Sequence, residues 1–145
     1  MRTVFLFLII LSGLRLLSAQ SSEQLLDLCI ECLDDATYLA DFQVELEAGG
    51  GGRPVPVARY SMVLNKNSQY RLTICNSENS RGRGIIQLYD SGGRVGSNHV
   101  EDSGGNYFSS FDVQINKTGV YHILISFEEG LPGQAVGILS FVKRL

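Results

Sequence analysis

The chain has 145 residues, with 12 Lys and Arg against 15 Asp and Glu and a formal charge of −3. That length holds one domain of ordinary size, about 100–150 residues. An acidic balance disfavours nucleic acid and anionic lipid as partners, because both are held by Lys and Arg neutralising phosphates.

Met1-Arg2 makes a short positive start, Val4 to Leu11 is continuously apolar, and Leu14 to Ala19 ends in small residues before Gln20. This is the pattern of a cleavable secretory signal over residues 1–20. Ser12, Gly13 and Arg15 interrupt the run well short of the about 20 apolar residues a membrane helix needs. No cysteine follows it directly, so a lipoprotein anchor is not supported. Cleavage removes Arg2 and Arg15 and leaves 10 basic against 15 acidic groups, a formal charge of −5. No later segment is long and apolar enough to span a bilayer as a helix. The expectation is therefore a secreted or periplasmic protein with no transmembrane anchor after cleavage.

Residues 21–40 read as an amphipathic helical segment of about three to four turns, with Asp35 to Leu39 as the point where it would unwind. At 100° per residue Leu25, Leu28, Cys29, Cys32, Leu33, Ala36 and Leu39 share a face, opposite Asp27, Glu31, Asp34 and Asp35. Ser21 with Gln24 three residues on matches a capping box. The chain has three cysteines, and in an oxidising compartment Cys75 is the available long-range partner for either Cys29 or Cys32. Two other uses of Cys29-Ile30-Glu31-Cys32 are weaker. A redox pair wants a helix start after a strand, and that context is missing. A zinc site would need all three cysteines plus His99 or His122, without a second closely spaced pair.

From Asp41 the period changes to two, and residues 41–145 read as a β-domain. Phe42, Val44 and Leu46 alternate with polar residues, and the glycine run at 49–52 with Pro54 ends that strand. Ala58, Tyr60, Met62 and Leu64 point inward on the next. Tyr70, Leu72 and Ile74 do so on the third, which leaves Arg71, Thr73 and Cys75 facing out. A disulfide to Cys75 therefore predicts that the helix lies on the outside of the sheet. Ile86 and Leu88 face inward before the turn Asp90-Ser91-Gly92-Gly93. Val95 to Val100 is a weak strand, and Glu101 to Asn106 an acidic, Gly-rich loop. Phe108 to Phe127 reads as two strands in a tight hairpin about Asn116-Lys117-Thr118-Gly119, with Gly119 taking a positive φ. Ala135 to Val142, apolar on both faces, suits a central strand or one beneath the helix. About eight short strands with frequent turns predict an all-β protein, an antiparallel β-sandwich or jelly roll, with the N-terminal helix packed on it.

Tyr60-Ser61-Met62-Val63-Leu64, Tyr70-Arg71-Leu72-Thr73-Ile74, Leu88-Tyr89-Asp90 with its Gly turn, and Thr118-Gly119-Val120-Tyr121 together resemble the bacterial pre-peptidase C-terminal domain family. The likeness covers roughly residues 41–145 and is one of pattern. It implies a β-sandwich jelly roll, usually appended to secreted peptidases and used in substrate binding or targeting, with Tyr121 anchoring the core. Some collagenase-associated members bind calcium, but the strand at Ile85-Ile86-Gln87 lacks the acidic residues that usually precede the family's Leu-Tyr-Leu strand. The expectation is a stand-alone module, acting without an attached peptidase domain. The Ala-Gln junction at residues 19–20 is similar to export signals of Bacteroidetes-type bacteria.

A catalytic reading would use Ser110, Asp112 and His122 as neighbours on the outer face of the hairpin. An exposed sheet face supplies neither an oriented base nor an oxyanion hole, so no enzyme, cofactor or metal site is expected. Asn116-Lys117-Thr118 matches an N-glycosylation acceptor but is also an ordinary turn. Outward Tyr89 with Asp90, Asn98 and Tyr107 is the candidate ligand face, since exposed aromatics stack on sugars or partner side chains. The function these features imply is a non-catalytic binding or accessory module for a glycan or protein at the cell surface or in the periplasm. The alternatives are an assembly protein that pairs through a strand edge and a calcium-binding targeting module.

Overall fold

A computed structural model describes residues 21–49, 51–101 and 105–145. The predicted signal and part of the acidic loop lie outside them. After helix α1 (Ser22–Ile30) come strands β1 (Thr37–Leu46), β2 (Ala58–Leu64), β3 (Ser68–Asn76), β4 (Gly84–Asp90) and β5 (Gly93–Ser97). Two-residue strands β6 (His99–Val100) and β7 (Asn106–Tyr107) precede β8 (Ser110–Ile115), β9 (Gly119–Phe127) and β10 (Gly133–Arg144). One sheet has the order β1-β10-β3-β8 and a second β2-β9-β4-β5, while β6 and β7 pair with each other. Every pairing is antiparallel. The protein is an antiparallel β-sandwich carrying one short helix.

Alternation explains how the two sheets meet. Phe42, Leu72, Ile74 and Leu139 from the first sheet pack against Ile86, Leu88, Ile123 and Ile125 from the second, all buried. Phe42 and Tyr60 meet across the layers with ring centroids 4.6 Å apart. Burying each large aliphatic side chain contributes about 1.5–3 kcal/mol. Tyr121 is buried as the resemblance implies, and its hydroxyl donates to the Lys117 carbonyl at 2.7 Å.

The order of sheets along the chain differs from the sequence reading. Phe108 to Phe127 is not a hairpin: β8 pairs with β3 in the first sheet and β9 with β2 and β4 in the second. The turn at 116–118 therefore carries the chain from one layer to the other. Gly119 is the first residue of β9 and is not among the positive-φ residues. The left-handed position lies in the neighbouring crossover, at Asn67, with φ 59°. The two crossovers are tied together, because the Lys66 N–H donates to Thr118 Oγ1 at 2.9 Å and the Asn67 N–H to the Ile115 carbonyl at 2.8 Å.

The helix is shorter than 21–40 and the first strand longer. The capping box forms as read, with Ser21 and Gln24 each accepting from the other's backbone N–H at 3.2 Å. A 3-10 turn (Glu31–Leu33) follows, then Asp34 with φ 54° and ψ −120°, a conformation that cannot propagate a helix. From Thr37 the backbone is claimed by β10, Thr37 opposite Phe141 and Tyr38 opposite Ser140. Tertiary pairing overrides the helical period of Ala36 and Leu39 here, and both Tyr38 and Leu39 are exposed.

The helix lies on the outer face of the first sheet. Leu25, Cys29 and Leu33 pack on Val136 and Ile138, which makes β10 apolar on both faces, as its sequence requires. Cys29 and Cys75 form the disulfide, with Cα atoms 5.8 Å apart, and Cys32 is an exposed thiol. No helix of the described residues is long and apolar enough to cross a membrane.

Candidate functional site

The helix covers one outer face of the sandwich, and among the described residues no element covers the other. That open face belongs to β2-β9-β4-β5. Its register sets Ser61, His122, Tyr89 and Arg94 in one row across the four strands. Ser61 Oγ and His122 Nδ1 are 3.0 Å apart. A second row holds Arg59, Leu124, Gln87 and Ser97.

At one end this face runs into an open cleft of about 380 Å³, between the turn at Asp90-Ser91 and the stretch from Lys117 to His122. Asp90 Oδ1 accepts from the Gly92 and Gly93 N–H groups at 2.7 and 3.0 Å, so this oxygen shapes the turn. The cleft is shallow and open to solvent, not a chamber that could exclude water. It brings Asp90 beside Lys117 and His122, while Tyr89 lies opposite His122 in the register and borders the cleft through it. Periodicity marked Ser61 as outward, but only the strand order shows that it faces His122.

The remaining candidates do not join them. Asn98 is 1% exposed, and its amide is consumed by backbone. Its Oδ1 accepts from the Ile86 N–H at 2.7 Å, and its Nδ2 donates to the carbonyls of Gly84 and Phe108 at 3.0 and 3.1 Å. Asn98 therefore stitches β4 to the β6–β7 excursion and presents nothing to a ligand. Its polarity marked an exposed residue; what the sequence lacked was the three backbone groups it had to satisfy.

Tyr107 lies at the opposite end of β4, beside Arg83. Gly84 and Tyr89 are five steps apart along the strand, roughly 17 Å at about 3.3 Å per residue, so the two tyrosines do not form one patch. The His99 ring stacks on Tyr107 at 4.2 Å and 9°, and the Arg83 guanidinium lies 4.1 Å from the same ring centre. Two groups that close cannot share a face, so Tyr107 is sandwiched between them. Glu128 accepts from Arg83 Nε at 3.2 Å and from the Arg83 backbone N–H at 3.0 Å. The Arg83 hydrogen bond holds the Glu128 carboxyl below its usual range, and burial pushes the Tyr107 hydroxyl up. This cluster binds three loops to one another.

The residues of the catalytic reading are also dispersed. Asp112, on β8, accepts from Arg71 Nε at 2.7 Å and Nη2 at 3.0 Å and from Gln69 Nε2 at 2.9 Å. The Arg71 hydrogen bond holds its carboxyl below the usual carboxylate range. Ser110 lies opposite Thr73 on that same sheet, whereas His122 is in the other. No set of three or more His, Cys, Asp or Glu able to hold a metal ion occurs among the described residues.

Comparison with known proteins adds a fold likeness. No family model and no curated protein matches the chain. Among solved structures it is similar to PliG of Aeromonas hydrophila, a periplasmic inhibitor of g-type lysozyme. The TM-score is 0.53 at 12% identity, over 75% of this chain and 90% of that one. At that identity the likeness is one of fold.

Proposed function

We propose that this protein is an exported, non-catalytic module that binds a protein or glycan in the periplasm or at the cell surface. The observation that carries the reading is the uncovered face of β2-β9-β4-β5, with its row of Ser61, His122, Tyr89 and Arg94 leading into the cleft at Asp90. Such a row offers an aromatic edge, hydrogen-bonding groups and a cation on a rigid scaffold, which serves recognition rather than bond cleavage. His122 has Ser61 at hydrogen-bonding distance, but among the described residues no carboxylate is hydrogen-bonded to it, and the cleft is open to water. The fold likeness to a periplasmic inhibitor protein supports a protein ligand, and the disulfide supports an oxidising compartment. Kinship with pre-peptidase C-terminal domains belongs to the same proposal and rests on the residues quoted above.

The test is thermal stabilisation across a panel of glycans, peptides, calcium and a g-type lysozyme. One ligand is expected to raise the melting temperature, and Tyr89→Ala to abolish that rise. Tyr107→Ala, away from the cleft, is expected to lower the starting stability and leave the rise intact. A flat panel together with a partner recovered by crosslinking would replace this reading with the assembly alternative. That alternative draws on β1, a ten-residue strand that has β10 as its one neighbour among the described residues.

A further inference from the structure

The two outer faces of the sandwich differ in charge. Residues 21–52 contain eight Asp and Glu and no Lys or Arg. Among them Asp27 and Glu31 are exposed on the helix side and Glu45 on β1. The open face is the reverse. Its strands β2, β9, β4 and β5 contain one carboxylate, Asp90, at the very end of β4. Arg59 and Arg94 stand on this face with no hydrogen bond or ion pair among the described residues. Val63 and Val120, paired across β2 and β9, are 64% and 56% exposed. On the helix Leu28 is exposed in the same way, as is Leu39 on β1.

We propose that the open face docks the helix-bearing layer of a second copy of this chain, so that copies add head to tail. Charge selects this arrangement over the symmetric ones. Two open faces would set Arg59 and Arg94 against their own equivalents, and two helix layers would oppose carboxylates to carboxylates. Docking one face on the other pairs cations with anions and covers apolar side chains on both. Four strands about 4.8 Å apart and seven residues long at about 3.3 Å each give a footprint of roughly 19 by 23 Å. That is at the small end of specific interfaces, so the contact is weak and salt-sensitive. A heterologous contact of this kind does not close at two copies. It also covers Tyr89, so a chain in the assembly and a chain holding a ligand at that face exclude each other.

Sedimentation velocity over rising concentration tests this with the secreted chain itself. At about 20 mM salt the sedimentation coefficient should climb with concentration beyond that of a dimer, and about 300 mM salt should weaken association roughly tenfold. Arg59→Gln/Arg94→Gln and Asp27→Asn/Glu31→Gln should each sediment as monomers alone. Mixed, they should form a one-to-one heterodimer that grows no further, since each retains one competent face. A monomer under every condition, a closed dimer indifferent to salt, or a mixture that stays monomeric would each overturn the proposal. Ligand binding by a strictly monomeric chain would overturn it while leaving the binding reading intact.

Discussion

Cys29, on the buried side of the helix, is bonded to Cys75, on the outward side of β3, and this link fastens the helix to the sheet. Neither residue belongs to the core between the sheets. The pair instead holds a second, smaller apolar layer closed over Val136 and Ile138.

The bond spans 46 residues, for which chain-entropy reasoning gives about 4 kcal/mol of stabilisation and experience about 2–4. Replacing both cysteines by Ala should lower the urea unfolding free energy by that amount. Cys32→Ser, at an exposed site, should change it by less than about 0.5 kcal/mol. Equal effects from the two would mean that the pairing is not Cys29 to Cys75.

Asn98→Leu should be among the most damaging single changes. It leaves the Ile86 N–H and the carbonyls of Gly84 and Phe108 without their partner, at about 1–3 kcal/mol for each buried group that finds no water. Urea denaturation should show a loss of at least about 3 kcal/mol. Asn98→Asp should be destabilising as well, because a carboxylate accepts from Ile86 but cannot donate to the two carbonyls.

Thr73 gives the opposite sign. Its Oγ1 is buried and has no hydrogen-bond partner among the described residues. Thr73→Val keeps the shape and removes the unpaired hydroxyl, so stability should rise by about 1 kcal/mol. A loss of similar size would show that the hydroxyl does find a partner.

Acid should loosen the fold through two carboxyls. The Arg71 hydrogen bond lowers the folded-state pKa of Asp112, and the Arg83 hydrogen bond lowers that of Glu128. A depressed folded pKa contributes stability that is complete above the unfolded values, about 3.9 for Asp and 4.3 for Glu, and is lost below them. Stability should therefore be level above about pH 5 and fall as pH drops through the unfolded and then the folded values. Arg71→Gln should flatten the Asp112 share of that slope, which melting curves at a series of acid pH values would show.

Much of the fold was legible because each strand has one dry face. Tyr70, Leu72 and Ile74 announced theirs, and with it the outward placement of Cys75, which put the helix on the outside of the sandwich. Pairing was not legible. Alternation states which side of a strand is buried but not which strand lies beside it, so β8 and β9 looked like a hairpin when each belongs to a different sheet. That the helix unwinds near Asp35 was legible, but not that the chain from Thr37 becomes strand, since the partner of Thr37 and Tyr38 is β10, about a hundred residues further along. At the candidate site the residue types were visible and their neighbours were not. Tyr89 and Asp90 kept company with His122 and Lys117, while Asn98 and Tyr107 were drawn into holding loops together.

The position of β10 bears on how the chain reaches this state. It follows every other strand in sequence yet lies between β1 and β3 in its sheet. Until it is added, β1 and β3 have no seam to join, and the helix has neither Val136 nor Ile138 to rest on. A chain emerging amino end first therefore stays open until its final strand arrives, and then closes as one unit.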